Sequence, residues 1–311
     1  MALDFGPFVL GGNVFGWTAD REESFRVLDA FVAQGGKAID TADVYSDWAP
    51  GGKGGESEQI LGEWFALRKN RHKVVLATKV AKWSAHPGLS AKNIRAAIEG
   101  SLRRLRTDSV DLYYAHEDDA KVAQSEYLTA FDALVKEGKV HALGASNFTP
   151  EHLASALAFS REHGLRAFEV SQDHWNLVER EVERALVPLL AKEGLRELPY
   201  WSLAKGFLTG KYRPGKSVES SRAGAASTYL QTKENVALLA KLDELAHAHR
   251  VSVAAISLAW LRAQRTVAAP IASARTVEQL APLLESATVE LSSYELGSLS
   301  AITRGSAGAI S

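Results

Sequence analysis

The sequence predicts a (β/α)8 barrel of the TIM class, an α/β fold, from three observations. Eight short apolar runs alternate along the chain with eight amphipathic helical patterns. The apolar runs are continuous rather than interleaved with polar residues, which is typical of parallel strands buried on both faces. Neither a linker nor a sequence repeat divides the 311 residues, so we expect a single domain over residues 1–311.

The eight strands are predicted at Phe8–Gly11, Lys37–Asp40, Val74–Thr78, Val110–Ala115, Ala142–Ser146, Phe168–Ser171, Leu198–Trp201 and Val267–Ile271. The helices are predicted at Glu22–Gln34, Ser57–Arg68, Ala91–Leu105, Glu126–Glu137, Pro150–Glu162, Glu181–Lys192, Glu234–His249 and Val277–Glu285. Local signals support these bounds, since Thr149 and Pro150 form a helix start and Gly138 and Gly164 follow helix ends. An open doubly wound sheet is the alternative, but Gly11–Gly16 only loosely resembles the glycine fingerprint which that fold requires.

Composition argues against several classes of protein. The net charge is −1, with acidic and basic residues mixed along the chain, so no surface for nucleic acid is predicted. The chain has no cysteine, which excludes disulfides and thiol chemistry, and no set of His, Asp and Glu residues has the spacing of a metal site. The N-terminus does not resemble a signal peptide, and no apolar run approaches the ~20 residues of a membrane span. We therefore expect a soluble, cytoplasmic protein without membrane contact.

Four ionisable side chains lie at the ends of three successive predicted strands. Asp40 and Tyr45 come at and just after the end of the second strand, Lys79 follows the third, and His116 follows the fourth. The carboxyl ends of the strands of a parallel barrel lie on one face, which carries the chemistry. Each of these side chains alone is more often a packing residue, a cap or a solvated charge. Together they predict an acid–base site.

Reduction of a carbonyl group needs this set of side chains. Hydride transfer to the carbonyl carbon leaves negative charge on the oxygen, and Tyr45 can supply the proton. A free phenol has a pKa near ~10, so we expect the Lys79 ammonium to lower it, with Asp40 keeping Lys79 charged. His116 is placed to donate a hydrogen bond to the carbonyl oxygen. Because no side chain carries hydride, a nicotinamide cofactor is required.

Further strand ends offer groups that suit a nicotinamide. Ser146 and Asn147 end the fifth strand and Gln172 follows the sixth, so their hydroxyl and amide groups are predicted to hold the carboxamide. Trp175 offers a flat face on which the ring would stack. The alternative for Trp175 is a loop aromatic that packs on the rim of the barrel.

The chain resembles the aldo-keto reductase superfamily over nearly its whole length. The motifs that carry the resemblance are Leu10-Gly11-Gly12, Asp40-Thr41-Ala42 with Tyr45, Thr78-Lys79, Tyr113–His116, Gly144–Asn147, Gln172 with Trp175-Asn176, Gly206–Tyr212, Pro270-Ile271 with Ala274-Arg275, and Glu278–Leu280. The resemblance implies a (β/α)8 barrel that binds NADPH in an extended form. It also implies a catalytic tetrad of Asp40, Tyr45, Lys79 and His116, with Tyr45 as proton donor, and reversible reduction of aldehydes and ketones to alcohols.

The resemblance implies further cofactor contacts. The loop around Leu203–Lys211 would fold over the pyrophosphate, and Arg275 lies in the segment that meets the 2′-phosphate, so NADPH is expected over NADH. The predicted cofactor-binding residues are Gly12, Asn13, Ser146, Asn147, Gln172, Trp175, Ser202, Leu203, Gly206, Leu208, Thr209, Lys211, Ser273, Arg275 and Gln279. Two departures from the family pattern are Trp201-Ser202-Leu203 in place of Ser-Pro-Leu, and Pro282-Leu283 in place of a Glu-Asn pair near the adenosine end.

The predicted rim is aromatic and suits a small-molecule carbonyl or alcohol with an apolar or ring-bearing body. The predicted substrate contacts are Phe15, Trp17, Trp48 and Trp83. Two other functions remain open: a Schiff-base lyase with Lys79 as nucleophile, which the neighbouring Asp40 opposes, and a nicotinamide-binding regulatory subunit, since some relatives bind cation channels. Exposed apolar helix positions are compatible with a homo-oligomer.

Overall fold

Eight parallel strands form one sheet in the computed structural model, which describes residues 3–218 and 223–303. The strands are β1 (Val9–Gly11), β2 (Ala38–Asp40), β3 (Val75–Val80), β4 (Val110–Ala115), β5 (Val140–Ser146), β6 (Val170–Gln172), β7 (Arg196–Glu197) and β8 (Ile271–Ala272). They pair in the order β7-β6-β5-β4-β3-β2-β1-β8. Backbone hydrogen bonds of 2.8 Å join Glu197 to Thr266 and Ala268, so the two edges meet and the predicted barrel is confirmed.

Helices surround the sheet on the outside. They are α1 (Arg21–Ala33), α2 (Glu56–Arg68), α3 (Ala91–Leu105), α4 (Gln124–Lys136), α5 (Pro150–Glu162), α6 (Leu186–Glu193), α7 (Ala223–Ser227), α8 (Lys233–His249), α9 (Val253–Arg262), α10 (Val277–Glu285) and α11 (Ser293–Thr303). The sequence did not predict α7, α9 or α11. In α9 the residues from Ala254 to Leu261 are all buried, so this helix has no polar face and no amphipathic pattern by which it could be recognised.

The last two strands differ most from their predicted bounds. β7 was expected at Leu198–Trp201 and forms at Arg196–Glu197, and β8 was expected at Val267–Ile271 and forms at Ile271–Ala272. Each predicted run contains a proline, Pro199 or Pro270, which has no N–H to donate to a strand ladder. The regular pairing therefore lies before Pro199 and after Pro270.

Apolar side chains fill the inside of the barrel, and its N-terminal end is closed by the segment before β1. The interior cluster comprises Phe5, Val9, Ala38, Ala77, Leu112, Tyr114, Ala142, Val170, Leu198, Ala269 and Ile271. The guanidinium of Arg196, at the start of β7, lies 4.9 Å from the centroid of the Phe5 ring. Because this end is plugged, the carboxyl ends of the strands are left as the face on which a site can form.

A buried polar layer lies between the sheet and helices α2 and α3. Glu58 of α2 is fully buried and accepts hydrogen bonds from Thr78 at 2.5 Å and from Arg104 at 2.7 Å. Asp43 is also fully buried, and neither of its carboxylate oxygens has a hydrogen-bond partner among the described residues. Burial and, after it, the Glu58 carboxylate raise the pKa of Asp43 from 3.8 to about 8. Asp43 therefore carries a proton at neutral pH.

Asp43 is expected to make the stability of the fold depend on pH. The unfolded chain releases this proton near its ordinary pKa of 3.8, whereas the folded chain keeps it up to about pH 8. The free energy of unfolding therefore falls as pH rises between these two values. In Asp43→Asn the side chain cannot ionise. The free energy of unfolding of this variant, relative to that of the wild type, should therefore increase as pH rises through the same interval. Urea unfolding at about pH 5 and about pH 8 measures this difference.

The matched control is Asp108→Asn, because Asp108 is exposed. Its stability difference from the wild type should be the same at both pH values. A difference for Asp43→Asn that does not change with pH would show that this carboxyl does not hold its proton in the folded chain.

Candidate active site

The side chains of Asp40, Tyr45 and Lys79 meet at the carboxyl ends of β2 and β3. Lys79 Nζ donates to Asp40 Oδ2 at 2.5 Å, to Tyr45 Oη at 2.8 Å and to the carbonyl oxygen of Thr41 at 2.8 Å. Tyr45 Oη in turn donates to Asp40 Oδ2 at 3.3 Å. The ammonium has three protons and three acceptors, so its position is fixed.

His116 follows β4 and completes the group. Its ring centroid lies 6.1 Å from that of Tyr45, with the two rings at 73° to each other. Burial lowers the pKa of His116 well below its ordinary value, and the Lys79 ammonium lowers it further. A neutral imidazole donates a single hydrogen bond, and Nδ1 has no partner among the described residues. The structure therefore brings all four predicted catalytic side chains to one place.

The electrostatics of Tyr45 differ from the sequence-based expectation. Burial, followed by the Asp40 carboxylate, raises the pKa of Tyr45 well above its ordinary value. The pKa of Tyr45 in the folded chain is therefore raised rather than lowered as expected, because these two effects outweigh the neighbouring Lys79 ammonium. Tyr45 keeps its proton at neutral pH, as a proton donor must. A phenolate at this position would be stabilised by the Lys79 ammonium, whose Nζ lies 2.8 Å from Tyr45 Oη.

Ser146, Asn147 and Gln172 lie directly beside this group. Gln172 Nε2 donates to Asp40 Oδ1 at 3.0 Å. Asn147, with a φ of 58°, donates through Nδ2 to the carbonyl oxygen of His116 at 2.9 Å and to Ser146 Oγ at 2.8 Å. Its Oδ1 accepts a hydrogen bond of 2.7 Å from the hydroxyl of Tyr200. The Asn147 amide is thus fully engaged by the protein, whereas the Ser146 hydroxyl accepts from Asn147 and has no recorded acceptor for its own proton among the described residues.

Trp175 does not lie where a nicotinamide could stack on it. The indole is fully buried, its Nε1 donates to Glu183 at 3.0 Å, and its ring packs at 6.5 Å against that of Trp260. The stacking role predicted for Trp175 is therefore wrong, because neither face is accessible.

Tyr200 is the aromatic residue that the sequence analysis missed. It follows β7, is half-buried, and reaches Asn147 with its hydroxyl, so its ring lies next to the residues predicted to hold the carboxamide. Its signal in the sequence was its place at the end of the seventh predicted strand. Trp201 follows it and is 41% exposed.

The loop after β7 has an unusual backbone. Ala204, Lys205 and Gly206 have consecutive φ values of 46°, 56° and 100°, within a 3-10 segment over Ala204–Thr209. The N–H groups of Ala204 and Gly206 donate inside this turn, to the carbonyl oxygens of Trp201 at 2.7 Å and Leu203 at 2.8 Å. Ser202 and Thr209 use their hydroxyls inside the loop, donating at 2.8 Å to the carbonyl oxygens of Pro199 and Gly206.

Three other residues of the predicted cofactor loop differ in exposure. Leu203 is partly buried, and Lys211 is exposed, with Nζ 4.9 Å from the centroid of the Tyr212 ring. Leu208 is fully buried, its N–H donates to Leu203, and its carbonyl accepts from Ser257. The predicted contact between Leu208 and a cofactor is therefore wrong, since its side chain and backbone hold the loop together.

The ends of β1 and β8 form the next part of the rim. A Cβ on Gly12 would lie 2.8 Å from Ser57 Oγ, so a larger residue does not fit there. Ser273 Oγ donates to Asn13 Oδ1 at 2.6 Å. The backbone N–H of Arg275 donates to Gln279 Oε1 at 3.1 Å. The Arg275 guanidinium has no carboxylate partner within the described residues.

Two of the four predicted substrate contacts lie beside Tyr45. Trp48 is 48% exposed and packs edge-on against Tyr45 at 5.9 Å, and Trp17 packs against Trp48 at the same distance. Trp83 instead supports the loop after β2, where its Nε1 donates to the carbonyl oxygen of Lys53 at 3.0 Å. Phe15 is fully buried in the main core, so its prediction as a substrate contact is wrong.

No group of three or more His, Asp and Glu side chains among residues 3–218 and 223–303 is arranged to hold a metal ion. In the same part of the chain, no helix has the length and apolar character needed to cross a membrane.

Comparison with known proteins agrees with this geometry. Residues 7–304 match the Aldo/keto reductase family. The chain is 32% identical to norsolorinic acid reductase B of Aspergillus parasiticus (96% of this chain, 78% of the relative) and 34% identical to the oxidoreductase YrpG of Bacillus subtilis (96% and 92%). It is 30% identical to the putative aryl-alcohol dehydrogenase AAD14 of Saccharomyces cerevisiae (95% and 82%). The chain therefore belongs to the aldo/keto reductase family of oxidoreductases.

Proposed function

We propose that the protein reduces aldehydes or ketones to alcohols reversibly with NADPH, and that Tyr45 is the proton donor. One observation carries the proposal: the buried Lys79 ammonium contacts both Asp40 Oδ2 and Tyr45 Oη. In this arrangement a proton donor lies beside a positive charge, which stabilises the anion of the donor after the proton has left. Family membership supports carbonyl reduction in general.

In this mechanism the substrate carbonyl oxygen binds between Tyr45 and His116. The bound nicotinamide supplies the hydride. Neutral His116 donates a hydrogen bond to the oxygen as negative charge develops there. Tyr45 transfers its proton to that oxygen, and Lys79, held by Asp40, stabilises the resulting phenolate. In the oxidation direction Tyr45 accepts the proton back from the alcohol.

The residues around the tetrad suit a nicotinamide nucleotide. Tyr200 provides an aromatic face beside Ser146, whose hydroxyl proton is free for the carboxamide. Arg275, which has no carboxylate partner in the described part of the chain, suits the 2′-phosphate of NADPH, a group absent from NADH.

The substrate we propose is an aromatic aldehyde or ketone, or the corresponding aryl alcohol. Trp48 and Trp17 form an edge-to-face row that continues from Tyr45, so a ring attached to the carbonyl would lie against indole. Relatives named norsolorinic acid reductase and aryl-alcohol dehydrogenase agree with this class.

Two observations bear on the other functions. All three protons of the Lys79 ammonium are donated, one to the Asp40 carboxylate, which opposes attack by a free amine and so a Schiff-base lyase. A regulatory subunit would bind nucleotide without turnover, so activity assays separate it from the proposed enzyme. The single domain over residues 1–311 and the cytoplasmic location stay predictions.

Tyr45→Phe should abolish turnover, because phenylalanine keeps the ring and lacks the proton. We expect kcat to fall by about 10²–10⁴-fold, the usual contribution of a general acid. Cofactor affinity, measured by calorimetry, should stay nearly unchanged. Tyr294→Phe is the control, since Tyr294 is 80% exposed, and it should keep wild-type kcat. A fully active Tyr45→Phe variant would refute Tyr45 as the donor.

Arg275→Met should weaken NADPH binding and leave NADH binding unchanged, because only NADPH carries the 2′-phosphate. We expect the Kd for NADPH to rise about tenfold or more, as for loss of a charge-assisted hydrogen bond. Titration with both nucleotides measures the two effects. Arg103→Met removes an exposed cation of α3 and should change neither Kd. Equal losses for NADPH and NADH in Arg275→Met would contradict the assignment.

A further inference from the structure

Three aromatic side chains form a continuous surface after β6 and β7, which we call the aromatic floor: His174, Tyr200 and Trp201. His174 lies parallel to Tyr200, with an interplanar angle of 14° and centroids 5.5 Å apart. Trp201 packs edge-on against both, at 4.9 Å from His174 and 5.6 Å from Tyr200. The proposed nicotinamide face of Tyr200 therefore belongs to a connected group of rings.

A cation lies directly on this floor. Lys205 Nζ is 4.4 Å from the centroid of the Trp201 ring. No carboxylate of the described residues is within ion-pair distance of this ammonium. Its charge is therefore not neutralised by a salt bridge, and its closest recorded interaction is with the π-electrons of the indole.

The Lys205 ammonium acts electrostatically on His174, the ring that lies parallel to Tyr200. Burial lowers the pKa of His174, the Glu179 carboxylate opposes this, and the Lys205 ammonium lowers the pKa further. His174 is therefore neutral at neutral pH. Glu179 accepts a hydrogen bond of 2.9 Å from Tyr229, and Lys205 is the cation that lies against the floor and acts on His174.

We propose that Lys205 makes this site discriminate against the oxidised form of the nicotinamide cofactor. The inference rests on the proposed function, and in particular on Tyr200 as the stacking ring. The oxidised nicotinamide ring carries a positive charge, whereas the reduced ring is neutral. A cation already on the floor withdraws π-electron density from it and repels a second cation stacked there. Only the oxidised ring experiences this repulsion.

The charge of Lys205 also affects the direction of the reaction. The reaction converts the reduced cofactor, a carbonyl and a proton from Tyr45 into the oxidised cofactor and an alcohol. When the oxidised form binds more weakly, it leaves sooner and inhibits reduction less. Lys205 thus favours carbonyl reduction without contacting the carbonyl.

The test compares Lys205→Met with Lys205→Arg by calorimetric titration with NADPH and NADP⁺. Methionine keeps the length of the side chain and removes the charge, so the Kd for NADP⁺ should fall about three- to tenfold, while that for NADPH stays nearly unchanged. Arginine keeps a cation on the indole, so the ratio of the two Kd values should stay that of the wild type. Lys73→Met, at the opposite end of the barrel just before β3, is the charge-loss control and should alter neither.

A second measurement does not need the cofactor. Titration of His174 by NMR should show a higher pKa in Lys205→Met than in the wild type, because a neighbouring cation has been removed. An unmoved His174 pKa, or an unchanged ratio of the two Kd values, would overturn the proposal. An equal loss of affinity for both nucleotides would also overturn it and would make Lys205 a phosphate contact. Wild-type protein that binds neither nucleotide would refute the proposed function itself.

Discussion

The buried ion pair between Lys79 and Asp40 is the constraint on which the site depends. Both side chains are almost completely removed from water, and burying two charges costs several kcal/mol per ion unless other hydrogen bonds compensate. Here the compensation comes from Thr41 and Tyr45, which follow β2, and from Gln172 at the end of β6, while Lys79 itself belongs to β3. The pair is therefore stable only when β2, β3 and β6 are correctly assembled.

This pair also sets the protonation of its neighbours. Burial beside Asp40 keeps the proton on Tyr45, and burial beside Lys79 keeps His116 neutral. Asp43, close behind, is held neutral by burial and by Glu58. In the proposed mechanism the pair is thus the main charged element beside the reacting oxygen, and both proposed donors to that oxygen are uncharged. Proton transfer from Tyr45 would then create a phenolate beside an existing ammonium, which stabilises it.

The sequence predicted the features that follow from barrel topology and local pattern. It predicted less well the features that are determined by tertiary packing. The tetrad could be predicted because strand ends of a parallel barrel converge by topology. Strands β7 and β8 shifted because Pro199 and Pro270 interrupt the apolar runs, and α9 was missed because a helix buried on all sides has no periodic signal. Trp175 and Tyr200 could not be distinguished by spacing, since both follow strands; only packing shows that Trp175 is buried against Trp260.

The tetrad does not by itself decide whether the enzyme reduces or oxidises. In the proposed mechanism Tyr45 donates a proton in one direction and accepts it in the other, and Lys79 stabilises the same phenolate in both. A preference for one direction then requires a group that responds to the charge of the cofactor rather than to that of the carbonyl. Lys205, whose Nζ lies 4.4 Å from the centroid of the Trp201 ring, is the group we propose, which assigns catalysis and direction to separate parts of one barrel rim.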